Sequence, residues 1–411
     1  MSFCATEKNK VKELYELAVN RLNNDHEKCF YGRNDTLLLI SAQYPGVWLE
    51  HVYDSIIYAK LFPEKLNIAK NTLNLFISLQ EKGQLPCYVW DKARVSVPEE
   101  SIGYSEIQEC VSFAELCLEY YYLSYDLMFL RKCYSSAAKW ILWLESNRMT
   151  LKKGLIEMFV GYDTGHDNSG RLSGMSEPGY YRVDNVLQNA SICPPNDSVA
   201  PIIAVDMNCN YYASLISIAK MAKILNRLNE EEIYLKKAKD VKHRLFAECY
   251  DSNDKFFYDV DKNGNQRKYL SSQILHLFME KVLDKTEDKN FIDAIYEKHI
   301  RNPKEFWTEY PFPSMAINDP SIKNRTPVNC WGYYSQALIA LRCTLWMDYY
   351  EKNRDFDVVC EKWIKATVNN SDRIHFGQEI DPISGETTMW SDFYSSCMLF
   401  FIYASRRLKL V

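Results

Sequence analysis

Gly161-Tyr-Asp-Thr-Gly-His-Asp-Asn-Ser-Gly-Arg171 is a polar stretch that lies between long helical patterns. Its eleven residues bring together two carboxylates, an imidazole, an amide and a guanidinium, with three glycines among them. Glycine lets the backbone approach a ligand closely, and an Asp beside an amide and a guanidinium can hold hydroxyl groups and exchange a proton. The stretch is therefore either a ligand-binding loop or an ordinary polar connection on the surface.

The sequence on both sides of this loop follows a repeated helical pattern. Apolar residues recur at helical spacing in paired segments, and short turns such as Ser124-Tyr-Asp126 separate the members of a pair. No short sequence repeat and no Gly/Ser-rich linker divides the chain. The pattern predicts about a dozen helices, at 7–24, through Ile56 and Leu61, and at 64–82, 105–125, 127–147, 206–227, 229–245, 270–284, 287–299, 332–351, 355–370 and 391–406.

Two segments interrupt this pattern. Residues 172–205 are irregular and contain several Gly and Pro, and a loop of that length in a compact domain is usually functional or a lid. Lys255–Val260 followed by Asn263-Gly264 predicts a small β-hairpin. The sequence thus favours an all-α fold in which six helical hairpins close into an (α/α)6 toroid with a small β-hairpin insertion, as a single domain over 1–411. Loops on one rim of such a ring would converge on a central pocket.

The composition limits the kinds of molecule that the protein is expected to bind. The 411 residues are 47% hydrophobic and 25% charged, which is typical of a globular protein with a large core. The net charge is −5 with both signs interspersed, so the chain offers no basic field for nucleic acid. Aromatic residues make up 14% of the chain, and their rings either cover flat apolar faces of a ligand or fill the core.

The cysteines and the N-terminus indicate the compartment. The 13 cysteines are odd in number, form no Cys-x-x-Cys pair and lie mostly in apolar helical runs, which predicts reduced core residues. No His/Cys cluster has metal-ligand spacing and no Gly-rich phosphate loop follows a strand, so neither a metal nor a cofactor is predicted. Without a signal core or a bilayer-spanning apolar run, we expect a soluble, cytoplasmic protein with no membrane partner. The sequence makes no prediction of oligomeric state.

Short motifs occur in order from about residue 40 to the C-terminus. They are Tyr53-Asp54-Ser55, Gly83-Gln-Leu-Pro86, Gly165-His-Asp-Asn-Ser-Gly-Arg171, Val205-Asp-Met-Asn208, Phe312-Pro-Ser314, Pro327-Val-Asn-Cys-Trp331 and Glu379-Ile-Asp-Pro-Ile-Ser-Gly-Glu386. Together they resemble the clan of (α/α)6 glycoside hydrolases that includes trehalases, mannosylglycerate hydrolases and processing α-glucosidases (glycoside hydrolase family 63-like). The resemblance implies inverting hydrolysis of a short α-linked glucoside or mannoside, with a small carbohydrate as the partner.

The resemblance also implies two catalytic carboxylates. Asp167 matches the family's general acid, and Glu379 lies near the position of its general base. An inverting enzyme needs one protonated carboxyl and one carboxylate, roughly 6.5–9.5 Å apart, so that a water fits between the base and the sugar.

Gln378 holds the family's position of the base, and Glu379 comes one residue later. Glu379 serves if the loop is adjusted by one residue, and Glu386 is a second candidate. His166 and Gly170 also depart from the family, which has an apolar residue and a Pro there.

For several of these residues, the sequence allows either a role in the site or a purely structural role. Arg171 would hold a sugar hydroxyl or an anionic group, or would pair with Asp163. Asp163 and Asp206 are candidate neighbours that would keep Asp167 protonated. Tryptophans would stack on a sugar or pack in the core, and Asp54 and Asp206 would bind hydroxyls or favour helix starts. The predicted substrate contacts are Trp48, Tyr53, Asp54, Gln108, His166, Asn168, Arg171, Asp206, Asn208, Trp331, Gln378 and Trp390.

Two other functions stay open. Sugar epimerases and isomerases also use (α/α)6 barrels and transfer protons with histidines, and His51, His166 and His375 lie in the motif loops. A catalytically silent sugar-binding toroid is the other alternative, because Gln378 replaces the expected base. The ordered hydrolase motifs favour the hydrolase over both.

Overall fold

The computed structural model describes residues 5–29, 34–41, 46–91, 101–107, 110–175, 182–183, 186–187, 190–195, 197–322, 331–370, 376–387 and 392–408. Twelve α-helices fall in these ranges: α1 (Ala5–Arg21), α2 (His51–Leu61), α3 (Leu66–Ser78), α4 (Phe113–Ser124), α5 (Leu127–Asn147), α6 (Val205–Ile224), α7 (Leu228–Cys249), α8 (His276–Met279), α9 (Lys289–Ile295), α10 (Ala337–Arg342), α11 (Asn353–Asn369) and α12 (Tyr394–Leu408).

Short strands pair in twos within the same ranges. They are β1 (Glu27–Cys29), β2 (Thr36–Leu38), β3 (Gly46–Trp48), β4 (Tyr88–Trp90), β5 (Glu157–Met158), β6 (Arg182–Val183), β7 (Val186–Leu187), β8 (Ile202–Ile203), β9 (Tyr250–Asp251), β10 (Phe256–Phe257), β11 (Ser335–Gln336) and β12 (Glu379–Ile380). The antiparallel pairs are β1–β2, β3–β4, β5–β8, β6–β7, β9–β10 and β11–β12.

The helices form two concentric rings. Even-numbered helices make the inner ring, where α8 and α10 are buried on every side. Odd-numbered helices make the outer ring and bury one face, as Ala238, Val241 and Leu245 do on α7. Neighbours in the chain pair as α2–α3, α4–α5 and α6–α7, and α1 packs on α12, so the first and last helices close the ring. The predicted all-α (α/α)6 toroid is confirmed.

The first turns of the inner helices meet inside the ring. Tyr53 on α2 and Glu115 on α4 are in contact. Asp54 on α2 accepts a hydrogen bond from Tyr394 on α12. Because polar residues at the start of several inner helices reach one another, this end of the ring positions the candidate site.

The predicted helices near this end were too long. The helix predicted at 105–125 begins only at Phe113, and 270–284 contains one short helix, α8, after a 3₁₀ turn. The segment 332–351 contains α10 followed by a 3₁₀ turn. In the last two segments, β-bridges between loops, Ser271 with Met315 and Pro313 with Ser335, use backbone groups that a helix would need. In the first segment, the backbone N–H of Ile107 donates to the Asp163 side chain instead of to a helix turn.

The predicted β-hairpin exists with a different pairing. Phe256 and Phe257 pair back onto Tyr250 and Asp251, and the turn at 263–264 closes only an isolated bridge between Val260 and Gln266. The described cysteines are free thiols. Within the described ranges, no helix combines the length and apolarity that a membrane crossing requires.

Candidate active site

The beginning of the loop Gly161–Arg171 is held by a buried ion pair. Asp163 is fully buried and accepts hydrogen bonds from three backbone N–H groups at 2.7–3.1 Å. Arg148, also fully buried, donates to the same carboxylate through Nη1 at 2.6 Å and Nη2 at 3.2 Å. A carboxylate with this many donors is a structural anchor, and its charge partner is Arg148.

The end of the loop is held by a second buried arginine. Arg171 donates to Asp206 through Nη1 and Nη2 at 2.6 and 2.9 Å, and to Asp259 through Nε at 2.8 Å. The predicted pairing of Arg171 with Asp163 is therefore wrong, because two other aspartates occupy the guanidinium. Burial alone would raise the pKa of Asp206, but the charge of Arg171 outweighs it and holds that pKa well below its usual range.

The middle of the loop faces the inner ring. Gly165 has a φ of 72°, a left-handed conformation that suits glycine and turns the chain into His166. The buried His166 ring stacks on Trp331 with centroids 4.6 Å apart, and its Nδ1 lies 3.9 Å from Asp206 Oδ2. Asp167 is half-buried and Asn168 is exposed. The loop thus presents Asp167 beside the stacked rings.

Trp331 holds an unusual backbone conformation. Its φ is 63°, in the left-handed region, although the side chain is bulky and buried. Such a conformation costs on the order of 1 kcal/mol or more and persists where surrounding contacts enforce it, often at functional sites. The ring stacks on His166 and also packs in the hydrophobic core.

The second predicted catalytic residue, Glu379, lies on β12. It is fully buried, it pairs in register with Gln336 on β11, and the Gln336 side-chain amide donates to its carboxylate. Gln378 is half-buried and its carbonyl accepts from the backbone of Ala337 at 2.9 Å. Glu386, the alternative base, is exposed on a turn. Of these residues, Glu379 is the carboxylate inside the molecule.

An aromatic cluster surrounds Trp48. Its ring centroid lies 5.6 Å from Tyr88, 5.4 Å from Trp90 and 5.9 Å from His51. The β3–β4 pairing produces this cluster, since Trp48 is directly opposite Tyr88. Tyr88 and Trp90 are not among the residues predicted from the sequence, although Tyr-Val-Trp after Pro86 is typical of a short strand.

Two neighbouring residues of α2 contact buried polar groups. Asp54 is fully buried and accepts from Tyr394 Oη, and Arg342 Nε lies 3.5 Å from its Oδ1. Tyr53 Oη donates to Glu115. The partners Glu115, Arg342 and Tyr394 lie in helical sequence without a motif, so only the spatial arrangement reveals them.

Of the remaining predicted residues, Asn208 lies in the described part of the chain and three others do not. Asn208 uses its amide on backbone groups, accepting from Ile156 N at 2.7 Å and donating to Ile156 O and Ala204 O at 2.9 and 2.8 Å. It therefore joins α6 to the loop before β5. Gln108, Trp390 and His375 lie outside the described residues.

Fold and site together define a class of protein. A closed ring of helical hairpins with buried carboxylates, histidines and aromatic rings at the inner helix ends is the arrangement of (α/α)6 glycoside hydrolases, as the loop motifs indicated. A model of the mannosylglycerate hydrolase MGH1-like glycoside hydrolase domain matches residues 54–332, more than half of the chain, and the chain belongs to this family.

Solved structures extend the likeness in fold to almost the whole chain. The GH63 mannosylglycerate hydrolase from Thermus thermophilus, in complex with glucose, superposes with a TM-score of 0.70 at 15% identity, over 95% of this chain and 100% of that one. Neutral trehalase from Saccharomyces cerevisiae gives 0.67 at 14% identity, over 90% and 73%. A rhamnosidase from Klebsiella oxytoca gives 0.57 at 11% identity, over 98% and 64%. Such low identities establish the fold alone.

A relative of unknown role covers less of the chain. An uncharacterized protein from Borreliella burgdorferi is 24% identical over 163 residues, which is 40% of this chain. The match spans 32% of that protein's length.

Proposed function

We propose that this protein is an inverting glycosidase that hydrolyses a short α-linked glucoside or mannoside, with Asp167 as general acid and Glu379 as general base. Membership of a glycoside hydrolase family supports the type of bond. The Thermus enzyme is described as a mannosylglycerate hydrolase and has structures with glucose and with D-glycerate, which supports a small hexoside as the substrate.

One structural arrangement supports the assignment of Asp167 and Glu379 as the catalytic pair. The residue before Asp167, His166, stacks on Trp331, and Gln336 donates to Glu379. Trp331 and Gln336 are the two ends of one short segment, and five residue steps span at most about 18 Å even when fully extended. The loop that carries Asp167 and the strand that carries Glu379 therefore contact opposite ends of the same segment.

The surroundings of Asp167 suit an acid. A general acid must hold its proton near neutrality and then give it to the leaving oxygen. The residue before Asp167, His166, lies close to Asp206, which carries a negative charge held by Arg171. We propose that this negative charge also lies near the Asp167 carboxyl and keeps it protonated.

The surroundings of Glu379 suit a base that activates water. Gln336 Nε2 donates to one carboxylate oxygen and fixes the orientation of the group. Gln336 Oε1 is buried and has no hydrogen-bond partner among the described residues. A water that donates one hydrogen to Glu379 and the other to Gln336 Oε1 would be held in place for deprotonation and attack on the anomeric carbon.

The test uses purified protein with a panel of α-linked disaccharides and glycosylglycerates, with the released sugar followed by NMR. We expect the β-anomer first, since inversion converts an α-linkage into that product. Asp167→Asn and Glu379→Gln should each lower kcat about 10²- to 10⁴-fold. The matched control is Glu386→Gln, a change at the exposed turn, which should retain activity.

Three outcomes would contradict parts of the proposal. Initial release of the α-anomer would exclude inversion. Loss of activity in Glu386→Gln with retention in Glu379→Gln would move the base to the turn. Interconversion of free glucose and mannose without any hydrolysis would exclude the hydrolase and favour the buried pair His166 and His276, whose ring centroids lie 6.3 Å apart.

A further inference from the structure

Two glutamates from different helices meet inside the inner ring. The carboxyl groups of Glu115 and Glu280 are both neighbours of the same hydroxyl. Tyr53 Oη donates to Glu115 and also lies 3.2 Å from Glu280 Oε2. A hydroxyl has one hydrogen and cannot donate to two carboxylates at once, so a proton on the pair is needed to satisfy the second contact. The geometry therefore favours one proton held within the pair.

The pair lies on the axis of the toroid. Glu115 is in the first turn of α4, Tyr53 is in the first turn of α2, and Glu280 directly follows α8. In a ring of six inner helices, α2 and α8 stand opposite each other, so the contact between Tyr53 and Glu280 crosses the centre. Glu115 is only half-buried although it stands between inner helices. It therefore borders open space within the ring.

The pair is connected to the candidate catalytic loop. Glu280 Oε1 lies 3.7 Å from His276 Nδ1, and the His276 ring is 6.3 Å from His166, the residue before Asp167. On the turn that leads into α8, Ser272 Oγ and Gln273 Oε1 are buried and have no hydrogen-bond partner within the described chain. Buried polar atoms without partners are uncommon and indicate a site that accepts further hydrogen bonds.

We propose that Glu115 and Glu280 form the element that recognises sugar hydroxyls at the closed end of the pocket, and that the ligand class is a neutral pyranose with adjacent free hydroxyl groups. The inference rests on the proposed function and names which residues select its substrate. When a sugar binds, the protonated carboxyl donates to one of its hydroxyls instead of to a neighbour within the cluster, and the carboxylate accepts from the next hydroxyl. A uronic acid is disfavoured, because its carboxylate would stand beside an anionic pair.

The electrostatic surroundings agree with a shared proton. Burial, followed by the charge of Glu280, raises the pKa of Glu115 well above its usual range, and burial also raises the pKa of Glu280. The titratable and charged groups that face the pair come from each neighbouring element: Tyr53 on α2, Cys209 on α6, His276 at the start of α8, Lys281 just after its end, and Arg342 on α10.

The experiment measures binding rather than turnover. Calorimetric titration of the full chain with D-glucose and D-mannose, in buffers of different ionisation enthalpy, gives both Kd and the protons exchanged on binding. Glu115→Gln and Glu280→Gln should each weaken binding of the better hexose about 10- to 100-fold, as expected for a lost hydrogen bond to a charged group. Both variants should also abolish the proton exchange that accompanies binding to the unmodified protein. Glu119→Gln, one turn further along α4 on a partly exposed side chain, is the matched control.

Three results would overturn the proposal. Folded Gln variants that bind the hexose with unchanged Kd and unchanged proton exchange would overturn it, and so would failure of the unmodified protein to bind either hexose across the millimolar range. If a Gln variant does not fold, Tyr53→Phe removes only the hydroxyl that the pair shares, and an unchanged Kd in that variant also overturns it. Because no hydrolysis is measured, binding that depends on the pair survives even if the glycosidase proposal fails.

Discussion

Asp163 and Asp167 lie four residues apart in one loop, yet their surroundings differ completely. Asp163 is fully buried and receives three backbone hydrogen bonds together with the guanidinium of Arg148. Asp167 is half-buried beside the stacked pair of His166 and Trp331. The loop is fixed at its ends by buried ion pairs, so that the carboxylate in its middle can be held in place and still reach a ligand.

The largest expected effect is a difference in folding stability between variants of the two aspartates. Asp163→Asn leaves Arg148 as a buried charge without its partner, which should lower the free energy of unfolding by about 3–5 kcal/mol. Asp167→Asn should lower it by no more than about 1 kcal/mol, because that side chain is only half-buried. Urea unfolding of both variants measures the difference. Equal losses of unfolding free energy in the two variants would show that Asp163 does not anchor the loop more strongly than Asp167 does.

A smaller effect is expected in the pH dependence of folding stability, and it arises near Asp163 at the buried beginning of the loop. Glu106 is buried near Asp163, and burial raises its pKa from 4.5 to about 7. A carboxyl whose pKa is raised by folding favours the folded state while it is protonated, so its stabilisation is complete below pH 4.5 and is lost as the pH rises through 7. The loss should be on the order of 3 kcal/mol.

Glu106→Gln isolates this contribution, since the amide is neutral at every pH. Unfolding free energies measured between pH 4.5 and 8 should fall with pH in the unmodified protein and should fall by less in the variant. Identical slopes in the two proteins would exclude Glu106 as the source.

The smallest effect is expected at Asn168, next to Asp167. Its side chain is exposed, so Asn168→Ala should change the unfolding free energy by no more than about 0.5 kcal/mol. If the amide contacts a sugar hydroxyl, KM should rise by less than about tenfold with kcat retained. A large fall in kcat would assign Asn168 to the reacting centre and sharpen the boundary around Asp167.

The sequence predicted the ring and the family because both depend on local signals. Helical spacing in paired segments is visible without a structure, and so is the order of motifs from Tyr53 to Glu386. The contacts between distant segments were harder to foresee. Asp259, which Arg171 binds, lies in a segment that carries no motif, so the pairing with Asp163 appeared more natural from spacing.

The glutamate pair shows the same limit. Glu115 stands in Phe-Ala-Glu-Leu and Glu280 follows Phe-Met, and either would pass for a polar position on an ordinary helix. Only the closure of the ring brings α2, α4 and α8 to one point. Two helices around the site were also shorter than their apolar pattern suggested, because bridges between loops took the backbone hydrogen bonds.

The contact between α1 and α12 has a consequence for biosynthesis. The buried stripe of α1, with Val11, Leu14 and Ala18, is covered by a helix that begins at Tyr394. At about 5–20 residues per second, the ribosome needs roughly 20–80 s to make the chain between them. During that time the apolar stripe lacks the cover of α12, so the ring closes only after this helix has been made.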